Sequence, residues 1–133
     1  MANLIDKLAW VYIKDRKVLG ARSTGKDNYY IPGGKREPGE TDQQALSREI
    51  REELSISLVP ESISYFGRFV AQADGKPIGT QVKLSCYRSQ YTGRLTADNE
   101  IEELAWLSSQ DKGRCSTATC LLLDSLKLQE LID

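Results

Sequence analysis

"GGKREPGETDQQALSREIREELSI", Gly33 to Ile56, carries six acids, and three of them, Glu49, Glu52 and Glu53, stand three and four residues apart. Pro38-Gly39 marks a turn. Thr41 then offers an N-cap with Gln44 three residues on, the spacing of a capping box. Leu46, Ile50 and Leu54 recur every four residues, so the stretch predicts a helix over 41–54 with an apolar stripe. At about 100° per residue, the three glutamates fall within about 100° of one another, beside that stripe rather than opposite it.

The arrangement works against local stability. Each like-charge pair at these spacings costs roughly 0.2–0.5 kcal/mol. Two of the acids also sit in the last turn, where the helix dipole disfavours an anion by about 0.3–1 kcal/mol. Arg48 and Arg51 offset part of this. A solvated acidic surface helix is the bland reading. Against it stand the position beside the core stripe, the opposition to the dipole and the glycine-rich loop ahead. Clustered carboxylates are what Mg²⁺ or Mn²⁺ requires, and such an ion turns their repulsion into binding. Because Mg²⁺ readily bridges phosphates, the expected substrate carries a diphosphate.

Outward from the helix, Leu8–Ile13 and a segment near Val18–Arg22 read as strands joined by a polar turn. Ser23–Asn28 reads as a loop and Tyr29–Ile31 as a brief strand, closed by the breaker Pro32-Gly33-Gly34. Downstream, Ile63–Ala71 and Thr80–Tyr91 are longer strands flanking "ADGKPIG", Leu104–Leu107 is a short one, and Thr117–Leu131 is a helix. Trp10 and Trp106 are expected in the core. This mixed order predicts one α/β domain over 1–133 around a mixed sheet.

The chain has 133 residues, 40% hydrophobic and 28% charged, with a formal net charge of −1. That balance gives no general attraction to nucleic acid or anionic membrane. No apolar run approaches the ~20 residues of a bilayer span, and the first residues lack a signal-peptide pattern. Cys86, Cys115 and Cys120 fit no disulfide framework or zinc knuckle, which points to reduced thiols in the cytoplasm. Histidine is absent. Ser-His-Asp and Cys-His catalysis are thereby excluded, as is any imidazole metal site.

Gly34, five residues, Glu40, seven residues, then Arg48-Glu49-Ile50-Arg51-Glu52-Glu53-Leu54-Ser55-Ile56 resembles the Nudix box of the MutT-type hydrolases, Gly-x5-Glu-x7-Arg-Glu-U-x-Glu-Glu-x-Gly-U, with U a bulky apolar residue. One fixed position departs: Ser55 replaces a glycine that ends the helix in a left-handed conformation, which serine adopts at a cost of about 1 kcal/mol. "YYIPGGK" and "NEIEELAWL" are also similar to Nudix elements and stand in family order.

The resemblance implies an α/β/α sandwich with a mixed sheet, and Mg²⁺- or Mn²⁺-dependent hydrolysis of a nucleoside diphosphate linked to another moiety. It implies Glu49, Glu52 and Glu53 as metal ligands, with Glu53 the first candidate to activate water and a carbonyl of the Gly33-Gly34 turn as a further ligand. Arg48 would hold the carboxylates and Glu40 would support the loop. Glu100, with Glu102 and Glu103 as rivals, would complete the metal site or act as base. Arg22, Lys26 and Lys35 are candidates for phosphate contact. Tyr30 is a candidate for stacking on a base, or a core residue. The expected activity is pyrophosphohydrolysis of a (d)NTP or similar small nucleotide, by a monomer or homodimer. A nucleotide-sugar or dinucleotide hydrolase, or a nucleotide-sensing module without turnover, are the alternatives.

Overall fold

Alternation along Asn3–Trp10 sets up the whole molecule. In this strand (β1), Leu8 and Trp10 point to one face and Ile5, Lys7 and Ala9 to the other, because successive side chains alternate across a strand. The computed structural model describes residues 3–133; Met1 and Ala2, where the span read as one domain begins, lie outside the described residues.

Eight more strands follow in chain order: β2 (Ile13–Lys14), β3 (Lys17–Ser23), β4 (Gly33–Lys35), β5 (Ser57–Leu58), β6 (Ser64–Gln72), β7 (Thr80–Arg88), β8 (Tyr91–Thr92) and β9 (Ile101–Leu107). Two α-helices join them, α1 (Asp42–Leu54) and α2 (Thr117–Leu128). One sheet has the order β4-β1-β7-β6, in which β1 and β7 run parallel and the other pairs antiparallel. The sheet is therefore mixed. A second, antiparallel sheet has the order β2-β3-β9, and β5 pairs with β8 in a small ribbon.

Each face of the mixed sheet buries its own cluster. Leu8 and Trp10 pack with Ala45, Leu46, Ile50 and Leu54 of α1. Ala9, Val82, Leu84 and Cys86 pack with Ala118, Leu122, Leu123 and Leu126 of α2. The layering is that of an α/β/α sandwich. Among the described residues no helix is long and apolar enough to cross a membrane.

Several boundaries differ from expectation. Pro32-Gly33-Gly34 does not end a strand at Tyr29–Ile31; those tyrosines make isolated bridges, and Gly33 begins β4. A three-residue edge strand pairs through its backbone, which side-chain patterning does not reveal. Leu8–Ile13 is interrupted after Trp10, Thr80–Tyr91 after Arg88, and the terminal helix stops at Leu128. The short strand at Leu104–Leu107 begins earlier, at Ile101. Trp10 is fully buried, as expected, but Trp106 is 37% exposed, with its ring tilted against Tyr12 at the molecular surface.

Candidate active site

Helix α1 presents its acids to β4 because both of its ends are tied down. At its start, Thr41 accepts from the Gln44 amide at 3.2 Å and the Gln44 side chain accepts from the Thr41 amide at 2.9 Å. The expected capping box therefore forms. At its end Ser55 is left-handed, φ 57°, and its amide donates to the Arg51 carbonyl. The last carbonyls of a helix have no partner within it. Here the loop at 96–99 supplies partners: Thr96 N donates to Leu54 O, Asp98 N to Glu53 O, and Asn99 Nδ2 to Glu52 O at 2.6 Å. The Ser55 hydroxyl donates to Asp98 Oδ2 at 2.7 Å, closing the clamp.

Arg48 organises the entry side. Its Nε and Nη2 meet the two Glu40 oxygens at 2.8 and 2.9 Å, while Nη1 donates to Glu49 Oε1 at 3.0 Å. Nη2 also reaches the Lys35 carbonyl. Glu40 accepts in addition from the Glu37 amide, and the Arg48 fork with that amide holds its carboxyl down at about 2. Glu40 thus braces the loop of residues 35–40 against the helix. Through the shared Arg48 it neighbours Glu49, whose carboxyl feels its charge.

Glu53 and Glu49 converge on the Gly33-Gly34 backbone. Glu53 Oε1 accepts from the Gly33 amide at 2.9 Å, and Oε2 lies 3.3 Å from the Tyr30 hydroxyl. A Cβ on residue 34 would meet the Glu49 carboxyl carbon at 2.5 Å, so glycine makes the space in which that carboxylate sits. Burial pushes the Glu53 carboxyl up to about 7, and the charges of Glu49 and Glu100 push the same way, against the Gly33 amide and the Tyr30 hydroxyl. Burial raises Glu49 as well, opposed by Arg48. A buried carboxyl whose proton affinity is raised beside other acids marks a candidate for chemistry.

The remaining sequence candidates divide. Glu100 sits in a turn just after the clamp, where its charge is felt by both Glu53 and Tyr30. Its two rivals are engaged elsewhere: Glu102 takes Arg22 at 2.7 Å, and Glu103 takes the Tyr29 hydroxyl. Arg22 also donates to the Lys26 carbonyl through the same nitrogen, Nη1. Lys26 is exposed on the β3–β4 loop, remote from the acids in its hydrogen bonding. Lys35 is exposed on β4. Tyr30 joins the acid cluster through its hydroxyl, which also lies 2.9 Å from Ser23 Oγ. Glu52 is half exposed and turned toward Arg48 at 3.5 Å.

The potential ligands of the cluster are carboxylate oxygens, the donor type preferred by Mg²⁺ and Mn²⁺. Among the described residues, no three acids stand close enough together to hold an ion as arranged. The carboxylate chemistry of Glu49 and Glu53 fits a hard dication.

Sequence reasoning missed Lys7, Asp98 and Asn99. Lys7 lies opposite Lys35 in the β1/β4 ladder. Its signal was a charge at an apolar phase of β1, between Ile5 and Ala9. Asp98 and Asn99 leave no local signal, since their role depends on a helix end more than forty residues away.

Comparison with known proteins places these features in a family. The NUDIX domain profile matches residues 7–114. A CTP pyrophosphohydrolase of Escherichia coli is 30% identical over 114 residues, covering 82% of this chain and 79% of that protein. A nucleoside triphosphatase, NudI, of Escherichia fergusonii is 30% identical over 101 residues, covering 71% of this chain and 72% of that one. The solution structure of the E. coli ORF135 protein superposes with a TM-score of 0.73 at 27% identity, covering 96% of this chain and 94% of that one.

Proposed function

Because this chain belongs to the Nudix hydrolase family, and so acts on diphosphate bonds, we propose that it is a Mg²⁺-dependent pyrophosphohydrolase of a nucleoside triphosphate. The observation that carries this reading is the convergence of Glu49 and Glu53 on the Gly33-Gly34 turn. The names of two relatives, one acting on CTP and one on nucleoside triphosphates, favour that substrate class. Three free cysteines suit a reducing, cytoplasmic setting.

A dication bound by the carboxylates would neutralise phosphate charge and make a bound water more acidic. The chain supplies the rest. Arg48 holds Glu49 in place while its own charge is balanced by Glu40. The Gly33 amide fixes one Glu53 oxygen, so the other is aimed into the cluster, where Tyr30 lies within reach. Glu53, held by the Gly33 amide, is the carboxylate placed to take a proton from water and return it to solvent. Glu100, carried on the turn that follows the clamp at the helix end, is the third acid of the site.

Incubating the protein with CTP, the other nucleoside triphosphates, ADP-ribose and a dinucleotide tests the assignment. Release of pyrophosphate from a triphosphate in Mg²⁺, and none in EDTA, is the expected result. Preferred cleavage of ADP-ribose or the dinucleotide would move the substrate class, and tight nucleotide binding without turnover would make the protein a sensor.

A further inference from the structure

Lys7 is the one charge in an apolar row. Ile5 and Ala9 flank it on its face of β1, and Val82, Leu84 and Cys86 line the same face on β7, with Leu84 directly beside Lys7 in the ladder. Directly across the other ladder stands Lys35. Like charges opposite one another in an antiparallel pair are destabilising. A third lysine, Lys76, comes from the turn between β6 and β7, which Thr117 ties to the start of α2 through Asp74. Among the described residues none of Lys7, Lys35 and Lys76 is in an ion pair. Burial, Lys35 and Lys76 all disfavour the Lys7 charge, while Glu53 and Glu49 favour it. Lys7 and Lys35 thus face each other on adjacent strands beside the turn that holds the acids, with the charge of Lys76 felt at Lys7 and the nearby glutamates offsetting only part of the repulsion.

We propose that Lys7, with Lys35 and Lys76, forms the seat for the terminal phosphates of the substrate, and that Lys7 makes the site prefer triphosphates to diphosphates. The inference rests on the hydrolase reading above. Lysine suits this task, being a compact point charge on a flexible stem that can meet a tetrahedral phosphate from several directions. An additional phosphate brings further negative charge and supplies the counter-ion these lysines lack. The half-buried position of Lys7 strengthens the attraction, since the surrounding medium screens less than water does. Lys7 is a positioning and specificity residue in this scheme. It moves no proton.

The test compares wild type with Lys7→Met, Lys7→Arg and Lys76→Met. Binding of inorganic tripolyphosphate and of inorganic pyrophosphate is measured by titration calorimetry in Mg²⁺, alongside KM and kcat for CTP. Lys7→Met should weaken tripolyphosphate about tenfold and pyrophosphate less than threefold. KM should rise about tenfold and kcat change less than threefold, with Lys7→Arg restoring most of the loss. Lys76→Met, on an exposed turn where folding is not at stake, should weaken tripolyphosphate about threefold. Unchanged tripolyphosphate binding in both methionine variants would overturn the seat, as would a loss in kcat at constant KM. A wild type that hydrolyses no nucleotide yet binds tripolyphosphate through Lys7 would sink the hydrolase reading and leave the seat standing.

Discussion

The Gly33 amide donates to the Glu53 carboxylate across 2.9 Å, joining the start of an edge strand to the last turn of the acidic helix. This single bond lets a buried carboxyl coexist with Glu49 and Glu100, and it fixes which way Glu53 faces.

Glu53→Gln should separate stability from activity. A carboxyl whose proton affinity is raised by folding favours the folded state at low pH and works against it as pH rises from the unfolded value, near 4.5, to the folded one, about 7. Without metal, the glutamine variant should therefore be more stable than wild type at pH 8, by roughly 1–3 kcal/mol, with the gain vanishing below about pH 5. Turnover should fall by orders of magnitude. Melting in EDTA at both pH values, then hydrolysis in Mg²⁺, checks both halves. A variant that unfolds more easily at pH 8 and keeps its activity would make Glu53 a structural residue.

The two neighbouring glycines should behave differently. At Gly34 an added Cβ meets only the far end of the Glu49 side chain, which can swing away. Gly34→Ala should melt close to wild type and lose most of its turnover. At Gly33 the Cβ would run into the Leu8 backbone carbonyl, and φ is +150°. Gly33→Ala should lose more than about 3 kcal/mol. Comparable melting temperatures for the two variants would refute the geometry drawn for this turn.

Chelation should abolish turnover, and re-addition of Mg²⁺ or Mn²⁺ should restore it. The rate should climb toward alkaline pH, as removal of a proton from metal-bound water becomes easier. Full activity in excess EDTA would contradict the role given to the carboxylates.

Ser55→Gly trades two terms of similar size. Glycine removes the left-handed penalty of about 1 kcal/mol, while the bond from the Ser55 hydroxyl to Asp98 contributes about 0.5–1.5 kcal/mol. The melting temperature should stay within a few degrees of wild type. A variant more stable by the full penalty of about 1 kcal/mol would show that the bond to Asp98 contributes nothing.

Much of this site was legible before any coordinates. The helix over 41–54, its capping box and the left-handed Ser55 are local features, written in spacings of three and four residues. Partnerships across the fold were not. Arg22 finds Glu102 only because β3 and β9 lie side by side in one sheet. Among Glu100, Glu102 and Glu103, sequence gave no means of choosing, since the choice depends on where Arg22 and Tyr29 lie. Trp106 was misread because an aromatic in a strand says nothing about which side of its own layer is covered.

The docking of residues 96–99 onto the end of α1 has a consequence for timing. The acidic helix is contiguous in sequence and can form early, but its final carbonyls stay unmet until a segment more than forty residues later arrives. Glu100 arrives with that segment. The site is thus completed by a late event, and it is lost first when that loop lifts away, with the sheet and both cores still in place. Amide exchange at Thr96 and Asp98, whose hydrogens report on the loop itself, should then run faster than at Leu46 or Ile50 and keep pace with reversible inactivation under mild denaturant. The expected outcome is that activity is lost at a lower temperature than the fold that carries it; coincident loss of both would refute it.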